Sequence, residues 1–220
     1  MARRLDHLRE EVVFLGGAAT VLLITNKAIP SMRPTLDVDI IVEIATRSDY
    51  YHLEDQLLKL GFKQSPSGDA PLCRWTVDGT MVDIMPTDSV VLGFSNTWYS
   101  ATIENSTVIP LDENLRIRVA KAPYFLATKI EAFRGRGHGD YLGSHDIEDI
   151  VSVIDGREEL VDEIRAQPHD IRSFLSQAFE QFREDESFIE SLPGHLLPDE
   201  ASQARRSIIL ERIDRIVESG

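Results

Sequence analysis

The 220 residues include a single cysteine, Cys73. An intramolecular disulfide is therefore excluded, and a cysteine-rich zinc site is not expected. No apolar run is long enough to span a bilayer, so no membrane partner is expected. The opening residues, MARRLDHLREE, hold no apolar core of the signal-peptide kind, which points to a cytoplasmic protein. Basic residues are scarce: 23 Lys and Arg stand against 37 Asp and Glu, a net charge of -14 at pH 7. Such a balance argues against non-specific binding to nucleic acid. There is no internal repeat and no low-complexity tract.

The charge is uneven. Residues 140–220 carry 20 acids and 8 bases, so most of the acidity lies in the C-terminal part. Between Arg116 and Arg136 the chain holds Arg116, Arg118, Lys121, Lys129, Arg134 and Arg136 against one acid, Glu131. That basic segment is the one stretch suited to face an anion.

The stretch from Phe14 to Ile41 organises the chain. It contains Gly16-Gly17 and closes on Asp37-Val38-Asp39, followed by Ile40, Ile41 and Val42. Side chains alternate along a strand, so Asp37 and Asp39 share one face. Two carboxylates beside apolar neighbours are costly unless a positive group lies between them. A divalent metal ion answers that need, since hard cations prefer carboxylate oxygens. Asp83, within Met81-Val82-Asp83-Ile84-Met85, is placed to be a third ligand from a neighbouring strand. The plain alternative for each is a solvated strand-end carboxylate. Asp78 competes with Asp83 by position, but Asp78-Gly79 reads as a turn pair.

The remaining elements follow from periodicity and breakers. Residues 3–13 read as a short helix with Leu5, Leu8 and Val12 at helical spacing. Residues 18–28 read as a small-residue helix opening at the glycine pair. Residues 31–34 read as a loop and Thr35 to Glu43 as a buried strand. Residues 47–60 form an amphipathic helix capped by Ser48, with Tyr51, Leu53, Leu57 and Leu58 inward and Gly61 as its stop. Leu72 to Val77 and Thr80 to Met85 flank Asp78-Gly79 as a hairpin with a type I′ turn. Ser106 to Pro110 and Leu115 to Val119 read as two more strands. A helix opens at Ala122-Pro123 and runs to about Phe133. The glycine-rich run that follows reads as a flexible loop. Ser144 caps a helix over His145 to Ile154, and helices follow over 157–166, 169–190 and 199–218. The expected class is α/β (α+β): a small mixed sheet flanked by helices over 1–120, then a helical subdomain over 121–220.

A Gly pair, then Asp-x-Asp on a strand about twenty residues further on, then a lone Asp on a later strand, resembles the nucleotidyltransferase superfamily founded on DNA polymerase β. Lys129-Ile130-Glu131-Ala132-Phe133-Arg134 and His145-Asp146-Ile147-Glu148-Asp149-Ile150 resemble the Lys and Asp motifs of its AbiEii/AbiGii toxin branch, to which the MenA-type toxins are related. The resemblance implies the nucleotidyltransferase fold and an Mg²⁺- or Mn²⁺-dependent transfer of NMP from an NTP to an acceptor hydroxyl. By the same resemblance Asp37, Asp39 and Asp83 hold the metal, and Asp83 doubles as general base. Gly16 and Gly17 let the backbone approach phosphate, although the family often has Gly-Ser there. Arg33 and Thr35 match an Arg-x-Ser/Thr that precedes the Asp pair and would face the triphosphate. Lys129 would contact nucleotide phosphates and Asp146 would orient it. The branch implies tRNA or a protein as acceptor and an antitoxin as partner.

Two other readings stand beside this one. A small-molecule acceptor, as in antibiotic-modifying nucleotidyltransferases, keeps the chemistry. A binding module of the same fold without turnover would dock a partner, for example through the stripe Ile209, Ile213, Ile216 and Val217. Core packing is the plainer reading of that stripe.

Overall fold

The computed structural model describes residues 1–26, 35, 37–44, 46–64, 71–93 and 95–220. The chain divides into two compact units. One comprises Met1–Ala19 and Thr35–Lys121, the other Thr20–Pro34 and Ala122–Gly220.

The first unit is built on a sheet of seven strands. These are β1 (Val12–Leu15), β2 (Asp37–Val42), β3 (Lys63–Gln64), β4 (Arg74–Val77), β5 (Thr80–Pro86), β6 (Ser106–Asp112) and β7 (Leu115–Ala120). Their order across the sheet is β3-β4-β5-β2-β1-β7-β6. β2 runs parallel to β5 and β1 parallel to β7, whereas β1–β2, β4–β5 and β6–β7 are antiparallel. The sheet is mixed, as the sequence leads one to expect.

Alternation sorts its two faces. Ile40 and Val42, Val82 and Ile84, Trp75 and Val77, and Val12 and Phe14 share one face and are all buried. The opposite face carries Asp37, Asp39, Met81, Asp83, Arg74 and Thr76, each half-buried. Helix α2 (Arg47–Lys59) sends Tyr50, Leu53 and Leu57 into the core, and the Tyr50 hydroxyl donates to the Leu72 carbonyl at 3.3 Å. Short helices α3 (Ser89–Leu92) and α4 (Tyr99–Glu104) follow β5. The Tyr99 hydroxyl meets the Met85 sulfur at 3.0 Å, so α4 covers the Met85 end of the acidic face.

Several expectations change here. The helix expected over 3–13 is a 3₁₀ turn at Asp6–Glu10, and Val12 belongs to β1. Four buried apolar residues in succession satisfy a fully covered strand as well as a helix face. Helix α1 (Gly16–Leu23) ends before the expected residue 28, since Thr25 and Asn26 donate their amides to the Gly156 carbonyl instead. Thr46, not Ser48, caps α2, accepting from the Asp49 amide. Tyr51 and Leu58 are exposed, and Tyr50 takes the inward place expected of Tyr51. The Asp78-Gly79 turn agrees with expectation: φ is 50° and 79° at its two central residues, as a type I′ turn requires.

The second unit is helical. It contains the later residues of α1, then α5 (Ala122–Arg136), α6 (His145–Gly156), α7 (Leu160–Arg165), α8 (His169–Glu184), α9 (Glu186–Ser191), α10 (Glu200–Ala204) and α11 (Arg206–Val217). Ser144 caps α6 as expected, accepting from the Ile147 amide at 3.4 Å. α5 runs to Arg136, three residues beyond Phe133, so Arg134 and Arg136 are helical residues rather than parts of a loop. The long helix expected over 169–190 is two, broken at Asp185, whose carboxylate caps α9. Ile209, Ile213 and Ile216 are fully buried in this unit, so the α11 stripe is core packing and not a docking face. No helix among the described residues is long and apolar enough to cross a membrane.

Candidate functional site

Strand register brings the acidic residues of the first unit together. Asp39 on β2 pairs directly with Asp83 on β5. Asp39 also pairs with Leu15, and Asp83 pairs with Arg74 on β4. Directly paired residues lie on one face, so Arg74, Asp83, Asp39 and Leu15 form a row across four strands. Asp37 lies two residues before Asp39 on the same face.

Gly16 follows Leu15 at the end of that row. Its φ is +70°, and a methyl group there would overlap the Asp39 carboxylate. Two independent demands, a left-handed backbone and a lack of room, both select glycine. Gly17 is the second residue of α1.

Each carboxylate has its own surroundings. The Thr35 hydroxyl lies 2.8 Å from Asp37 Oδ1 and 3.1 Å from the Asp37 carbonyl oxygen. Thr35 thus orients the first aspartate. Arg33 lies outside the described residues. Asp83 is gripped by Arg74: Nε donates to Oδ1 at 2.8 Å and Nη2 to Oδ2 at 2.7 Å. This is a two-pronged guanidinium–carboxylate pair, the strongest ordinary side-chain ion pair. Hydrogen bonding to Asp83 drives the Arg74 pKa upward, burial opposes it, and the charge of Asp37 adds to the rise. Cys73, next to Arg74, is buried. Burial, with the charge of Asp83, pushes its thiol up to about 11. The thiol is therefore protonated at neutral pH and is no nucleophile. Asp78 pairs with Arg4 at the hairpin turn, which removes it from the site.

The donor chemistry suits a hard divalent cation. Among the described residues no group of three His, Cys, Asp or Glu side chains is disposed to hold a metal ion. Both oxygens of Asp83 accept from Arg74. Asp37 and Asp39 are the other two aspartates of this face. That pair is sufficient for Mg²⁺, which usually takes one or two carboxylates and completes its shell with substrate phosphate and water.

A second ionic cluster lies in the helical unit. Asp146 and Asp149, one turn apart on α6, face Lys129 on α5. The Lys129 ammonium lies 3.1 Å from Asp146 Oδ1 and 2.6 Å from Asp149 Oδ2. The contact to Asp149 is ionic, with the ammonium off the line of a hydrogen bond. Arg136 adds a fork to Asp146, with both bonds at 2.9 Å. The Thr20 hydroxyl donates to Asp149 Oδ1 at 3.1 Å. Lys129, Asp146 and Asp149 are all buried. Burial pushes the Asp146 carboxyl up, but the Arg136 hydrogen bonds and the Lys129 charge outweigh it, and its pKa falls below the ordinary value. Two cations and two carboxylates cancel, which is how such a group tolerates burial.

No family model matches this chain. No curated protein matches it either.

Sequence reasoning brought Asp37, Asp39 and Asp83 to one face and set Lys129 beside Asp146. It missed Arg74 and gave Asp149 no role of its own. The signal for Arg74 was present: a two-residue turn at Asp78-Gly79 pairs Val77 with Thr80, and counting outward pairs Arg74 with Asp83. The basic segment 116–136 offers less to an anion than its composition implies. Arg118 donates to the Ile103 carbonyl and to Ser106, Lys129 is buried, and Arg136 holds Asp146.

Proposed function

We propose that this protein is a metal-dependent nucleotidyltransferase that moves an NMP from an NTP to an acceptor hydroxyl. One observation carries the reading: Asp37 and Asp39 share a half-buried strand face in register with Asp83, at a point where Gly16 has no room for a side chain. Asp37 and Asp39 would hold Mg²⁺ or Mn²⁺ together with the triphosphate. Such an ion, when bound, neutralises charge that develops on the transferred phosphoryl group.

This chain's own residues do the rest. Gly16 makes room for the Asp39 carboxylate, and the first amides of α1 would face a phosphate held beside it. Thr35 holds Asp37 in place. Asp83, once released by Arg74, is the carboxylate that accepts the acceptor's proton as its oxygen attacks the α-phosphorus and pyrophosphate leaves. Catalysis of this kind is mostly positional and electrostatic.

The acceptor is the open part of the reading. The resemblance to the toxin branch favours tRNA or a protein, with an antitoxin as partner. The engagement of Arg118, Lys129 and Arg136, together with the net charge of -14, favours a protein hydroxyl or a small molecule over a bulk polynucleotide. The test is incubation with each α-labelled NTP, Mg²⁺ or Mn²⁺, and a lysate containing RNA and protein. Label should move to one acceptor class with the native chain and not with Asp39→Asn.

A further inference from the structure

We infer that Arg74 holds the place of the divalent cation at Asp83 until nucleotide arrives, and then turns to the triphosphate. The inference rests on the nucleotidyltransferase reading and adds a residue that the resemblance does not supply.

Three aspartates on one face leave a strong negative field. Arg74 is a close counter-charge, and it occupies both oxygens of Asp83. A carboxylate so engaged has its two inner lone pairs turned to the guanidinium, whose charge also opposes a cation beside it. The site as it stands is a two-carboxylate site with a guanidinium on its third ligand.

The latch can open. The Arg74 side chain keeps 31% of its surface exposed, whereas Asp83 keeps 13%. Arg74 is thus the partner with room to swing, and Asp83 the one that stays. A metal ion at Asp37 and Asp39 places two positive charges near the guanidinium and weakens its hold. A triphosphate arriving with that ion offers the guanidinium a new planar set of oxygens, which arginine binds in the same forked manner. Metal alone supplies the repulsion but no replacement anion. Metal with NTP supplies both. Arg74 would therefore suppress metal binding in the absence of nucleotide and support nucleotide binding in its presence.

The test reads Mn²⁺ binding to the full chain by electron paramagnetic resonance, without nucleotide, and then NTP binding at saturating Mn²⁺. Arg74→Gln should bind Mn²⁺ about tenfold tighter or more, on the scale by which one adjacent unit charge moves a carboxylate's affinity for a proton. The same variant should bind NTP more weakly than the native chain. Adding Asp83→Asn should erase the gain in Mn²⁺ affinity. Arg74→Lys keeps the charge without the fork and should show a smaller change in the same direction; it serves if Arg74→Gln does not fold. Unchanged Mn²⁺ affinity in folded Arg74 variants would overturn the inference. If Asp39→Asn still abolished nucleotide transfer in that case, the reading of the site would stand without the latch. If Asp39→Asn changed neither Mn²⁺ binding nor transfer, the reading itself would fall.

Discussion

Gly16 abuts the carboxylate of Asp39 so closely that no side chain fits between them. The glycine sits at the β1–α1 junction and the aspartate lies on the adjacent, antiparallel strand. The pair ties a backbone feature to a chemical one, and it gives the first prediction. Gly16→Ala must adopt a left-handed φ and also displace Asp39. The conformational part alone costs about 1–2 kcal/mol, and the steric part adds to it. Urea unfolding should show a clear loss of stability, and nucleotide transfer should fall with it. Gly79→Ala, also at positive φ but with open space around it, should cost only the conformational part and leave transfer unchanged.

Lys129 is a structural cation, buried between Asp146 and Asp149. Lys129→Met would leave Asp146 with Arg136 and Asp149 with the Thr20 hydroxyl. Removing one partner of a buried ionic group typically costs about 3–5 kcal/mol. Chemical denaturation should therefore show a large loss. Lys129→Met combined with Asp149→Asn should recover part of it. A Lys129→Met chain as stable as the native one would refute the buried cluster.

Acid should weaken the helical unit through Asp146. Its folded pKa lies below the ordinary 3.8, so its contribution is fully present above that value and disappears as pH falls through the folded value. Asp146→Asn should lower stability at neutral pH and flatten the acid limb of the stability curve. Circular dichroism melts across the acid range would measure both effects.

Cys73 should be inert. With its thiol pushed up to about 11 by burial and by Asp83, a thiol reagent at neutral pH should label the native chain slowly and the unfolded chain rapidly. Fast native labelling would contradict the buried placement on which the Arg74–Asp83 row depends.

How far the fold is readable from sequence depends on how local each determinant is. The Asp78-Gly79 hairpin is readable because its turn chemistry is confined to two residues and also sets the register that pairs Arg74 with Asp83. The α11 stripe is readable because helical period and burial agree. β1 is not, since Val12 to Leu15 form a short apolar run that suits either element. The inward face of α2 is misplaced by one residue at Tyr50. The role of Asp149 escapes inspection because it depends on partners from other elements, whereas the Arg74–Asp83 pair follows from the hairpin register. Composition counts Lys129 and Arg136 as an exposed basic stretch, but tertiary structure turns them against acids.

The site account is tested most directly by calorimetric titration of Mg²⁺–NTP into the native chain and Asp39→Asn, with no acceptor present. The account predicts saturable binding by the native chain, binding abolished in Asp39→Asn, and thermal midpoints that differ little between the two. Equal binding by both chains, or none by the native chain at any of the four nucleotides, would contradict it.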